Sequence, residues 1–173
     1  MIIKHKLGDI ISLPQRVREV NLLPQQLVGY EYLDHTADIQ IHSWGNTLAK
    51  ALEEQIHGMM NYMTELKYVE IDPSKTVTLH ATGHDLLSLI FNFMDEVLYK
   101  FHSDDLIVKL CQIITLKNDE VSKVFEITAV CRGEKIDLKK HPQGTEVKAI
   151  TYSAMQVNQT KTDQVDVYVV VDI

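Results

Sequence analysis

Apolar and polar positions alternate along residues 39–44. Ile39, Ile41 and Ser43 fall on one side and Gln40, His42 and Trp44 on the other, the period-two pattern of a strand with one buried face. Gly45 ends that run, and Asn46 or Thr47 stands where a helix N-cap is needed. Leu48, Leu52, Ile56, Met59, Met60 and Met63 then recur at helical spacing and predict an amphipathic helix. Val77, Leu79 and Ala81 alternate with Thr76, Thr78 and His80, which predicts a second strand, broken by Gly83. Asp85 occupies an N-cap position before Leu86, Ile90, Met94, Val97 and Phe101. That second helix is apolar on adjacent positions too, so it is expected to be well buried.

The rest of the chain reads as β-structure. Residues 105–116 and 123–132 are β-branched apolar runs separated by the polar turn Lys117-Asn118-Asp119-Glu120, the pattern of a hairpin. A polar stretch from Gly133 to Thr145 follows, punctuated by Pro142 and Gly144. Val147, Ala149, Thr151 and Ser153 then alternate with Lys148, Ile150, Tyr152 and Ala154, and a last strand spans 164–173. The predicted order is β-α-β-α-β-β-β-β. Consecutive strands without intervening helices predict a largely antiparallel or mixed sheet with two amphipathic helices in a single α+β domain. Residues 1–28 contain Pro14, Pro24 and scattered apolar pairs with weak periodicity. They read as an N-terminal extension, and residues 29–173 as the domain.

Composition narrows the function classes. The chain has 173 residues with 45% hydrophobic and 24% charged positions, an ordinary globular balance. The formal net charge of -7 argues against bulk electrostatic grip on nucleic acid, which needs a basic face. Cys111 and Cys131 lie in apolar runs without a CxxC pair, so buried reduced thiols and an intracellular setting are expected. No continuous apolar run has the length of a signal peptide or a membrane span.

Common catalytic signatures are missing. The seven Gly are scattered and build neither a GxxxxGK[ST] nor a GxGxxG phosphate loop. His80 and His84 are four apart, but Gly83 between them spoils a helical zinc pair. Asp95 and Glu96 read as the solvated face of the second helix. Two acidic features carry more chemistry. One is Asp34-His35-Thr36-Ala37-Asp38 at the entry to a strand, the other the ending Val169-Val170-Val171-Asp172-Ile173. Near-continuous valine predicts a buried strand, which places Asp172 at the rim of the core. Asp38, Asp172 and the α-carboxylate of a chain stopping at Ile173 would offer hard oxygen ligands suited to Ca2+, Mg2+ or Mn2+. The plain alternative is that the aspartates cap turns or sit in solvent. Spacing alone does not bring the two segments together.

Tyr30-Glu-Tyr-Leu-Asp-His-Thr-Ala-Asp38 closely resembles the opening motif of the archease family. Lys140-His-Pro-Gln-Gly-Thr-Glu-Val-Lys-Ala-Ile-Thr-Tyr152 resembles its second signature, and Val-Asp172-Ile173 its terminus. Leu86-Leu-Ser-Leu-Ile-Phe and Asp95-Glu-Val-Leu-Tyr-Lys-Phe101 are similar to the animal members. The likeness runs from about Tyr30 to Ile173. It implies an accessory protein, not an enzyme in its own right, that promotes guanylylation and multiple turnover of an RtcB-type RNA ligase. The setting would be tRNA splicing and, in animals, ligation of unfolded-protein-response mRNA. It implies that Asp38, Asp172 and Ile173, the last through main-chain oxygen, hold a divalent metal. GTP would be used by the partner ligase, which explains the missing nucleotide loop. Asp34, His35, His141 and Lys148 stand as auxiliary or partner-contact candidates. The localisation expected is cytoplasmic or nuclear, with little direct nucleic-acid binding and no membrane.

Lys139, Lys140, His141 and Lys148 form a local basic island. It reads either as a solvated loop or as a contact for a phosphate or a ligase carboxylate. Trp44 reads as a protein-contact anchor or as part of a second buried sheet face. Two other function classes compete with the ligase reading. One is a general chaperone or modulator with a structural metal. The other is a metal-dependent phosphoester hydrolase, for which no positioned nucleophile is evident.

Overall fold

The computed structural model describes residues 27–35, 37–159 and 164–173. The expected N-terminal extension lies outside them except for Leu27 and Val28. The elements run β1 (Gly29–His35), β2 (Asp38–Gly45), α1 (Leu48–Met63), a short 3-10 turn (Leu66–Tyr68), β3 (Thr76–Gly83) and α2 (Leu86–Asp104). They continue with β4 (Leu106–Asp119), β5 (Val124–Lys135), β6 (Ala149–Ile150), β7 (Gln156–Gln159) and β8 (Val165–Asp172). The class is α+β with antiparallel pairing between the strands, as the patterning predicts.

The strands divide into two sheets. One has the order β1-β2-β8-β6, with β7 also paired to β8, and the other the order β3-β5-β4. Three details differ from the expected order. Gly29–His35, for which the expected order has no strand of its own, is a full strand hairpinned onto β2. The alternation over 147–153 yields only the two-residue β6, because Thr151 turns both its N–H and its hydroxyl onto the Val170 carbonyl, at 3.1 and 2.9 Å. Ala154 then takes φ 48 in the turn that follows. The polar Gln156–Gln159 forms an extra edge strand.

Local chemistry sets the helix positions. Thr47 caps α1 by accepting the Lys50 N–H at 3.2 Å. Buried Ser43 on β2 places its hydroxyl 2.8 Å from the Ala51 carbonyl and 2.7 Å from Gln55 Oε1. Gln55 in turn donates to the Ile41 carbonyl at 3.3 Å. These bonds lock the first turns of α1 against the strand that precedes it. A Cβ on Gly45 would stand 2.7 Å from the Ala51 backbone nitrogen, so only glycine permits that close approach. Asp85 and Ser88 form a reciprocal capping box at the start of α2.

Ile41, Leu52, Ile56, Phe93, Phe125 and Val169 belong to one continuous apolar cluster that joins both helices to both sheets. Cys111 and Cys131 face each other across β4–β5 with their sulfurs 3.7 Å apart, both buried and unbridged. The Cys131 thiol and burial together push the Cys111 thiol far above its ordinary range, so it stays protonated. Asp95 and Glu96 are exposed on α2, as expected. β8 is buried along almost its whole length and sits inside its sheet. That explains its run of valines.

Candidate metal centre

The register of β2 on β8 builds one end of the five-stranded sheet. Ile39 lies opposite Val171, so Asp38, one residue before, and Asp172, one residue after, end neighbouring strands. Ile39 and Val171 are both buried in the core. Side chains alternate along a strand, so Asp38 and Asp172 share the opposite face. On the other edge of β8, Ala149 pairs with Asp172, and the Lys148 N–H donates to the Asp172 carbonyl at 2.8 Å. Ile173 follows at once, its side chain packed on the core cluster.

Most of the candidate residues therefore converge. His35 is the register partner of Asp38 and falls on its face. Asp34 pairs with Ile39 and is exposed, and strand alternation points it to the opposite face from Asp38. Lys148 is exposed beside Ile173 and makes no ion pair among the described residues. Between His35 and Asp38, Ala37 takes φ 83, a left-handed conformation that strains a residue with a Cβ.

His141 is placed elsewhere. It is buried, with both nitrogens occupied. Nδ1 accepts the Asp137 N–H at 2.9 Å, which puts the proton on Nε2, 3.0 Å from Glu134 Oε1. Lys140 also donates to Glu134, at 2.7 Å, and to Glu70 at 2.9 Å. Burial opposes ionisation of Glu134, but the bonds from Lys140, the Glu70 N–H and His141 prevail and hold its carboxyl down to about 2. Half of the expected basic island is thus spent inside a structural network.

Three further histidines lie away from the strand ends. His80 bonds Thr128 across strands at 3.1 Å, and His84 lies 3.6 Å from Asp85. Neither joins a ligand group. His42, on the outer face of β2, reaches Glu31 at 2.8 Å and Asp166 at 2.9 Å while stacking on Tyr168 at 4.1 Å. The sequence placed His42 on that face but held no signal for its partners, which come from β1 and β8. Trp44 is half-buried beside it, against Gly29. That environment fits the second covered face.

The donor set at the strand ends suits a hard divalent cation. Among the described residues no three His, Cys, Asp or Glu side chains cluster closely enough to hold an ion, so a site here needs the main-chain oxygens of Ile173 beside the two aspartates. One observation marks the region as incomplete. His35 Nδ1 is buried without a hydrogen-bond partner.

The chain matches the family model described as the Archease protein family (MTH1598/TM1083) over residues 30–173. It is 47% identical over 157 residues to "Protein archease-like" of Drosophila melanogaster, covering 90% of this chain and 96% of that one. It is 46% identical over 144 residues to "Protein archease" of Danio rerio, covering 83% and 85%. "Protein archease" of Methanosarcina barkeri is 35% identical, with 83% and 95% covered. The solution structure of Methanobacterium thermoautotrophicum protein 1598 superposes with a TM-score of 0.68 at 26% identity, covering 84% of this chain and 99% of that one. Among the described residues no helix is long and apolar enough to cross a membrane.

Proposed function

This chain belongs to the archease family, and from that premise we propose that it is a metal-binding accessory protein of an RtcB-type RNA ligase. It promotes guanylylation of the ligase and its repeated turnover in tRNA splicing and in ligation of unfolded-protein-response mRNA. It is not itself the enzyme. The observation that carries this reading is the β2–β8 register, which sets Asp38 beside Asp172 and Ile173 at one rim of the sheet.

Asp38, Asp172 and the main-chain oxygens of Ile173 hold a Ca2+, Mg2+ or Mn2+ ion. When bound, such a cation supplies two positive charges and open oxygen-seeking positions for a partner's carboxylates or phosphates. The chain's own part is placement. β8, gripped on both edges, fixes Asp172 and Ile173, and the β1–β2 hairpin fixes Asp38. Lys148 adds a positive charge beside them for an anionic partner group. GTP stays with the ligase, since this chain contains no phosphate loop. The net charge of -7 favours encounter with a protein that carries a basic RNA cleft.

The test is a guanylylation assay with purified ligase, GTP and a metal series. The wild-type protein should accelerate formation of the ligase–GMP adduct, and Asp38→Ala should not. No stimulation by the wild type at any metal would remove the reading.

A further inference from the structure

Every buried side-chain nitrogen and oxygen of the described residues has a hydrogen-bond partner except His35 Nδ1. Leaving a buried polar atom unmet is costly, and native proteins rarely tolerate it without a reason. The orphan does not sit at random. His35 is paired in register with Asp38 and shares its sheet face, whereas buried His141 in the same molecule has both nitrogens engaged.

Resting on the reading of Asp38, Asp172 and Ile173 as the cation's holders, we propose that His35 is a positioning residue of that site. Its Nδ1 accepts a hydrogen bond from a water carried on the bound cation. Direct ligation by the ring is disfavoured, because His35 does not close with the aspartates into a three-side-chain ligand group. A hard cation held by two carboxylates and main-chain oxygen of Ile173 keeps several waters. Those waters have protons to donate, and the unpartnered Nδ1 offers a lone pair to accept one.

The experiment uses the full chain and reads cation binding, not ligation. Ca2+ and Mn2+ are titrated into wild type, His35→Asn, which keeps an oxygen acceptor near the Nδ1 position, and His35→Phe, which keeps the ring's bulk without an acceptor. His35→Phe should bind about 10- to 100-fold more weakly, and His35→Asn should stay near wild type. The 15N resonance of His35 Nδ1 in the wild type should move as the site saturates. Thermal melts in chelator should show His35→Phe no less stable than wild type, and the gap should open in favour of wild type only when Ca2+ is added. Wild-type affinity in His35→Phe, or an unmoved Nδ1 resonance at saturation, overturns the proposal and leaves the aspartate site standing. Absence of cation binding by the wild type overturns the aspartate site itself. If His35→Phe does not fold, the wild-type resonance decides alone.

Discussion

Two imidazole environments in this molecule, one half-buried and one buried, are opposites. Around His141 everything is satisfied. The ring bridges Asp137 and Glu134, Lys140 adds two carboxylate contacts, and the loop below is pinned by the Gly144 N–H to the Met63 carbonyl at 2.8 Å. Around His35 a nitrogen is unmet, the neighbouring Ala37 is strained, and two aspartates end adjacent strands. Both regions carry motif residues of the family. A complete network holds a loop in place and leaves no capacity for a ligand, whereas the incomplete one leaves a polar atom without a partner. Motif membership alone does not separate the two roles, but hydrogen-bond accounting does.

The comparison can be broken most sharply at the strand ends. Asp38→Ala should reduce ligase stimulation on the order of 100-fold, the scale of a lost ligand environment, while its melting temperature in chelator stays near wild type. Appending two residues after Ile173 should have a similar effect, measured by adduct formation and by Ca2+ titration. A full-strength extended protein would detach Ile173 from the site.

In the His141 region the larger effects should fall on stability. A Cβ at Gly144 would lie 2.2 Å from the Tyr62 carbonyl oxygen, so Gly144→Ala should cost about 3 kcal/mol by chemical denaturation, the upper range for overpacking. His141→Ala should cost about 1–3 kcal/mol by stranding the Asp137 N–H and one side of Glu134. The same network predicts an acid response. The Glu134 carboxyl is depressed from 4.5 to about 2 in the folded protein. Its contribution is therefore fully present above about 4.5, and is lost as the pH falls from there toward 2. Glu134→Gln should flatten the stability curve in that window, and an unchanged curve would show the network to be weaker than its geometry. The smallest effect is a control remote from both regions. Thr47→Ala should cost about 1 kcal/mol through loss of the α1 cap and leave Ca2+ affinity untouched.

Legibility in the sequence followed the range of each interaction. The helices, the Thr47 and Asp85 caps and the β4–β5 hairpin were readable because their signals are periodic and local. β1 was not read as a separate strand, since Tyr30, Tyr32 and Leu33 put bulk on both faces and blur the alternation. β6 was overextended because Thr151 and Tyr152 continue the pattern while their hydrogen bonds end the strand. The split into two sheets depends on long-range pairing that no window of sequence contains. For the site, residue types were legible but juxtaposition was not. Asp38 and Asp172 meet only through the β2–β8 register, and the engagement of His141 depends on Glu134 and Asp137 reaching it across a folded loop.

One consequence of the β8 placement concerns how the molecule is made. β8 is the last of the described strands but lies between β2 on one edge and β6 and β7 on the other. Until it inserts, β2 presents an open, hydrogen-bond-hungry border, and β6 and β7 lack their partner in this sheet. Sheet closure must therefore wait until β8 has been synthesised, and the long-range pairing makes it slow. A nascent or truncated chain is left with an adhesive edge. Folding during synthesis should accordingly be arrested at a half-sheet until β8 emerges, and the quality of the folded domain should depend on how quickly that strand is delivered.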